Sequence, residues 1–225
     1  MGFLSKLRRF HAEEGVMAIE FAFIAPVMLF TMFGLIEVTD AIMARRRVDM
    51  AASMMGDLTT NIMDDWIHED DVQAIFDVGE NVLHPYGMRD IYARMTAITY
   101  DPDKEEMVVV WARCEFNGLA VSPETDDQDE QQNHSCQNEG EIFDRLKANQ
   151  SMLDDELVVQ ENYHLVVTEM TYSFQSSLSN IIFEPFQINV QELRLPRRTA
   201  KLDLCTDQGC SSGRAWDANA KRPTS

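Results

Sequence analysis

Hydrophobic positions along this chain fall into three regimes. The first is continuous. Residues 16–36 read VMAIEFAFIAPVMLFTMFGLI, 21 residues with a single charge, Glu20. About 20 helical residues cross the hydrocarbon core of a bilayer, so this run predicts a membrane-spanning helix. A cleavable secretory signal has a shorter apolar region and a small-residue site after it. Here Glu37, Val38, Thr39 and Asp40 follow, and the span is read as retained. Pro26 removes one backbone donor within it and predicts a kink.

The second regime has the period of a helix. Ala41, Ala44, Val48, Ala51, Met55, Leu58 and Ile62 recur at alternating spacings of three and four, with Arg45, Arg46, Asp49 and Asp57 on the other side. That is one apolar stripe. It extends the span as a helical stalk over residues 37–63, and a continuous helix over 16–63 would measure roughly 70 Å. The stripe suits either the protein's own sheet or a partner helix. A second helix is expected over residues 70–83, apolar at Val72, Ile75, Phe76 and Val82. Acids open its first turn and His84-Pro85-Tyr86-Gly87 ends it.

The third regime alternates. Residues 91–100 and 107–116 read as strands joined by the turn-forming residues 101–106, with Val108, Val110, Ala112, Cys114 and Phe116 on one face. His164, Val166, Thr168, Met170, Tyr172 and Phe174 alternate along a third strand, and residues 187–195 make a fourth. Four antiparallel strands against the stalk predict an α+β fold, a long helix packed on a small antiparallel sheet, in a domain over residues 64–204. Residues 117–141 read as an irregular loop. From 122 onward it holds seven acids and no Lys or Arg, which marks a solvated segment. Residues 142–153 suit a short helix, and residues 205–225 a polar, unstructured tail.

Charge narrows the partners. The formal net charge is −19. Residues 1–15 carry Lys6, Arg8 and Arg9 against Glu13 and Glu14, so the remainder is more acidic still. Such a body is repelled by nucleic acid, which is excluded as a partner. Membrane lipid is expected around the span. Basic residues flank the span on both sides, including Arg45, Arg46 and Arg47, so positive charge does not orient it. The four cysteines, Cys114, Cys136, Cys205 and Cys210, all follow the span. An even number on one side of a membrane fits an oxidising compartment, which places the C-terminal body outside the cytoplasm. Three pairings are possible. Cys114–Cys136 and Cys205–Cys210 are favoured because each closes a local loop, with free thiols as the alternative. No C-x-x-C spacing points to zinc.

Catalytic chemistry is not evident. The histidines are His11, His68, His84, His134 and His164, none at i, i+4 from another. His164 reads as a packed strand residue. There is no G-x-S-x-G and no P-loop. No cofactor and no metal is expected, and the protein is read as a non-enzyme.

The order of residues at the start of the span carries a resemblance. A short basic leader ends at Gly15; Val16, Met17, Ala18, Ile19, Glu20 and Phe21 then open the apolar helix. Gly, four apolar residues, Glu and an aromatic resemble the processing site of type IV prepilins, in the form used by Tad (Flp) pilus systems. Residues 14–57, EGVMAIEFAFIAPVMLFTMFGLIEV and then RRRVDMAASMMGD, resemble the TadE-like minor pseudopilins. Major Flp pilins usually have tyrosine after the glutamate; Phe21 departs from that and points to a minor pseudopilin. The D-x-S-x-S motif of the related TadG-like proteins does not occur. The resemblance implies a cytoplasmic leader over residues 1–15, a cut by a prepilin peptidase between Gly15 and Val16, and a role for Glu20 and Phe21 in assembly. The freed amine of Val16 would be neutralised by Glu20 of a neighbouring subunit; the alternative is that Glu20 reaches lipid head groups. The implied partners are other pseudopilins and inner-membrane components of the pilus machine. The implied location is the bacterial inner membrane, single-pass, with the C-terminal domain periplasmic, at the base of the pilus or within it. The competing reading is an uncleaved, signal-anchored binding or scaffold module.

Overall fold

A computed structural model describes residues 3–86, 91–104, 106–121, 136, 139–143, 163–175, 185–219 and 221–224, with side chains from residue 17 onward. The chain divides into two compact units. One holds Met1–Met43 and Gln175–Pro185, the other Ala44–Phe174 and Phe186–Ser225. A helix, α1 (Phe3–Thr60), runs through Pro26.

In the first unit, residues 17–36 of α1 are apolar on all sides apart from Glu20. Phe21, Phe23, Val27, Met28, Phe30 and Leu35 are each half or more exposed. A helix with no polar face has no aqueous side to turn outward, which suits lipid. The hydroxyls of Thr31 and Thr39 donate back to the carbonyls of Met28 and Leu35, at 2.9 and 2.7 Å, so neither donor is left open in that stretch.

In the second unit the remainder of α1 becomes one-sided. Ala44, Val48, Ala51, Ala52, Met55, Gly56, Thr59 and Thr60 are buried. This corrects the stripe read from alternating spacings: Leu58 is 41 % exposed, and α1 ends at Thr60, short of Ile62. A strict three–four alternation repeats every 3.5 residues, whereas a straight helix turns every 3.6. The stripe therefore drifts by about 20° per seven residues, and Leu58, two heptads past Ala44, has rotated outward. Burial follows spacings of four instead.

The covering surface is the protein's own sheet. After a short strand β1 (Trp66–His68) comes α2 (Glu69–Leu83), capped by His68, whose Nδ1 accepts from the Asp70 amide. Its buried face is Val72, Ile75, Phe76, Gly79 and Leu83; Leu83 replaces the expected Val82. Arg47 donates to the Val82 carbonyl at 3.1 Å, a cation at the negative end of α2.

Five antiparallel strands follow: β2 (Ile91–Asp101), β3 (Glu106–Phe116), β4 (Leu119–Val121), β5 (Leu165–Phe174) and β6 (Phe186–Arg194). Their order is β4-β3-β2-β5-β6. The strand β4 lies within residues 117–141, which were expected to be loop throughout. Asn117 and Gly118 both have positive φ, 53° and 78°, so they form a two-residue hairpin turn. Residues 122–135 lie outside the described residues, as do 144–153 of the helix expected over 142–153; its first residue, Ile142, is instead in an antiparallel bridge with Val108, which corrects the start of that helix.

A bulge also corrects the alternation in β3. Ala97 pairs with Trp111 but Ile98 pairs with Val109, so Val110 is the extra residue. Past it the faces exchange. Val109, not Val110, joins Ala112, Cys114, Ile98, Leu165 and Val167 in one cluster with Cys136 and Phe143. The residues around Phe143 extend the open edge of β3: the Val109 amide donates to Glu141, and the Phe143 amide to Met107. A disulfide joins Cys114 to Cys136 beneath this segment.

The C-terminal segment is folded, which corrects the expected tail over residues 205–225. Strand β7 (Asp203–Thr206) pairs in parallel with β1 and antiparallel with β8 (Gly209–Cys210); β9 (Trp216–Asp217) pairs with β10 (Arg222–Pro223). Polarity misleads here because the ordering forces are specific contacts between distant residues. A second disulfide joins Cys205 to Cys210. Arg214 donates to Asp203 at 2.6 Å and to Asp65 at 3.2 Å, and Trp216 packs edge-on against Trp66 at 5.2 Å.

Candidate functional site

The residues singled out at the start of the span sit on a helix. Gly15 and Val16 are part of the α1 backbone. Glu20 lies one turn further, about 6 Å along the axis, and is exposed. Phe21, 69 % exposed, stands beside it on the helix. Nothing in the described residues gathers around Glu20. A carboxylate on an apolar helix surface inside lipid is costly unless it reaches head groups or meets a positive charge. Glu37 differs: it is buried. Chemically, this segment can anchor and can pair with a cation.

The sheet carries the buried polar chemistry. Arg94 of β2 is fully buried and forms an ion pair with Glu169 of β5, its direct cross-strand partner. Gln191 donates to the same carboxylate at 3.2 Å, and the guanidinium stands 6.0 Å from the centre of the Phe143 ring. Sequence reasoning passed over this pair. The available signal is an Arg and a Glu near the middles of two runs otherwise apolar or small, IYARMTAITY and VVTEMTYSF. Glu115 faces α2 and accepts from Gln73. Burial raises its pKa; the Gln73 hydrogen bond opposes this, and Asp77 and Glu80 add to it. His164 is buried at the foot of β5, where its Nδ1 accepts from the Leu202 amide at 2.9 Å. Among the described residues, no three His, Cys, Asp or Glu side chains are grouped to hold a metal ion.

Taken together, these features define a class: an α+β protein with one N-terminal helix long and apolar enough to cross a membrane, followed by a disulfide-linked antiparallel sheet unit. Residues 15–55 match the family model of the TadE-like proteins, so the chain carries a TadE-like segment. The match opens on Gly15 and ends on Met55. No curated protein matches the chain, and no solved structure does.

Proposed function

We propose that this protein is a minor pseudopilin of a Tad (Flp) pilus system, cut by a prepilin peptidase between Gly15 and Val16. Its helix then remains in the inner membrane, with the sheet unit on the periplasmic side. The observation that carries this reading is positional. The TadE-like match starts at Gly15, within α1 and directly before its apolar stretch, with Glu20 about one turn further on. A cut there frees the Val16 amine, and Glu20 of one subunit neutralises that amine on a neighbour, so that neither charge stays unpaired in lipid. The partners on this reading are the prepilin peptidase, other pseudopilins and the inner-membrane components of the pilus machine.

Intact-mass measurement of the protein from its native membrane tests the cut. The expected mass corresponds to a chain beginning at Val16. A chain retaining residues 1–15 in cells with an active prepilin peptidase overturns the proposal and favours an uncleaved scaffold module. Gly15→Ala is expected to slow or block the cut. Glu20→Ala is expected to be cut normally yet to reduce pilus assembly, and normal pili from that variant would remove the pairing role.

A further inference from the structure

The C-terminal segment builds a cleft to which the proposed function assigns no role. It has a volume of about 480 Å³, within the range of small-molecule sites. One wall is Trp66, and Pro223 and Thr224 line another part. Four charges face it, Asp65 and Asp217 against Arg214 and Arg222, so the cleft is locally neutral on a strongly acidic protein. We propose that this cleft binds neutral pyranose units of a glycan.

The argument rests on what the lining still offers a ligand. The Trp66 ring is fixed by its edge-on contact with Trp216, which in turn lies 4.6 Å from the His68 ring. A fixed indole gives a flat apolar face, and the C–H face of a sugar ring covers such a face well. Asp65 is held by Arg214, which Asp203 anchors from behind. Asp217 accepts the Asn219 amide at 2.9 Å. Both carboxylates are thus oriented before a ligand arrives, which reduces the ordering cost of binding. Arg222 is exposed, and among the described residues it forms no ion pair. Its guanidinium carries five donors that suit hydroxyl or ring oxygens.

The mixture of groups selects the chemistry. An anionic ligand would meet two carboxylates, and a cationic one would meet two guanidinium groups. A polyol avoids both conflicts, because each hydroxyl can donate to a carboxylate and accept from a guanidinium. Backbone pairing holds the walls together: Arg222 is opposite Asp217 and Pro223 opposite Trp216, and the Thr224 amide donates to Ala215 at 2.8 Å. A nucleoside also stacks on an indole and is the competing ligand class.

Tryptophan fluorescence of the full chain tests the proposal, in micelles of a detergent without a sugar head group. The probes are the N-acetylglucosamine trimer, maltotriose and adenosine. Two of the three tryptophans, Trp66 and Trp216, belong to the cleft or its support; Trp111 is fully buried elsewhere. The expected result is a saturable change with at least one oligosaccharide, with a dissociation constant below about 10 mM. Arg222→Ala and Asp217→Asn should each weaken it about fivefold or more. Both residues lie at the surface of a short ribbon, and unchanged far-ultraviolet dichroism confirms that each variant folds. Trp66→Phe should retain the fold and reduce both amplitude and affinity. The proposal fails if neither oligosaccharide gives a saturable change, if binding is unaltered in all three variants, or if adenosine alone saturates.

Discussion

His164 shows how one side chain can tie distant parts of this chain together. It lies just before β5, and its Nδ1 accepts from the Leu202 amide 38 residues on. Trp111 of β3 donates to the carbonyl of the same residue at 2.7 Å. Burial lowers the His164 pKa, with the Leu202 carbonyl and Asp203 opposing. The folded state therefore favours the neutral ring, and the sign follows. Stability from this group is complete above the ordinary histidine value of about 6.5 and is lost as pH falls below it, because the unfolded chain takes up the proton first. The melting midpoint of the full chain in detergent is expected to drop between about pH 7 and pH 5. His164→Asn keeps an acceptor near the Nδ1 position without titrating there, so it should flatten that slope; an unchanged slope would assign it to other groups. Burial of His164 was legible from the alternating strand pattern. Its partner was not, since nothing near Leu202 in sequence marks it as the point where two elements dock.

At the level of elements, glycines decide how closely α1 and α2 approach. Gly79 is buried on α2, and a Cβ there would collide with the Met55 sulfur and stand 3.1 Å from its Cγ. Met55 is fully buried, so it has little room to retreat. Gly79→Ala would gain up to about 1 kcal/mol from helix propensity, but overpacking costs about 1–3 kcal/mol. The variant is expected to be less stable by about 1–2 kcal/mol in chemical denaturation; a more stable variant would show that Met55 can repack. Gly56 does this for α1 against the sheet, where Thr168 of β5 and Arg194 of β6 come within 3.2 Å of the Cβ position. The elements themselves were legible because periods of 3.6 and 2 are local properties. The register within them was less so. A bulge at Val110 exchanges the faces of β3, and helix drift turns Leu58 outward. The Asn117-Gly118 turn was a readable hairpin signal that a run of acids obscured.

At the scale of the molecule, α1 changes character along its length. Residues 17–36 are apolar apart from Glu20, while residues 44–60 supply one wall of the sheet unit through Val48, Ala51, Ala52 and Met55. The compact unit thus begins at Ala44, 20 residues before the domain start expected at residue 64. A fragment of residues 44–225 is expected to be soluble and cooperatively folded, whereas residues 64–225, lacking that wall, should aggregate or remain unfolded. Fractionation and circular dichroism of the two fragments check this, and a folded shorter fragment would show that the helix is dispensable to the core. The chain's own order of residues determined the long apolar helix, the α+β class and the even set of cysteines, because each depends on neighbours along the sequence or on composition. Only the tertiary structure decided that Arg94 meets Glu169, that Trp111 meets Leu202 across 91 positions, and that Arg214 meets Asp65 across 149. Those contacts form when folding brings distant segments into register, and they order the polar C-terminal segment that carries the cleft.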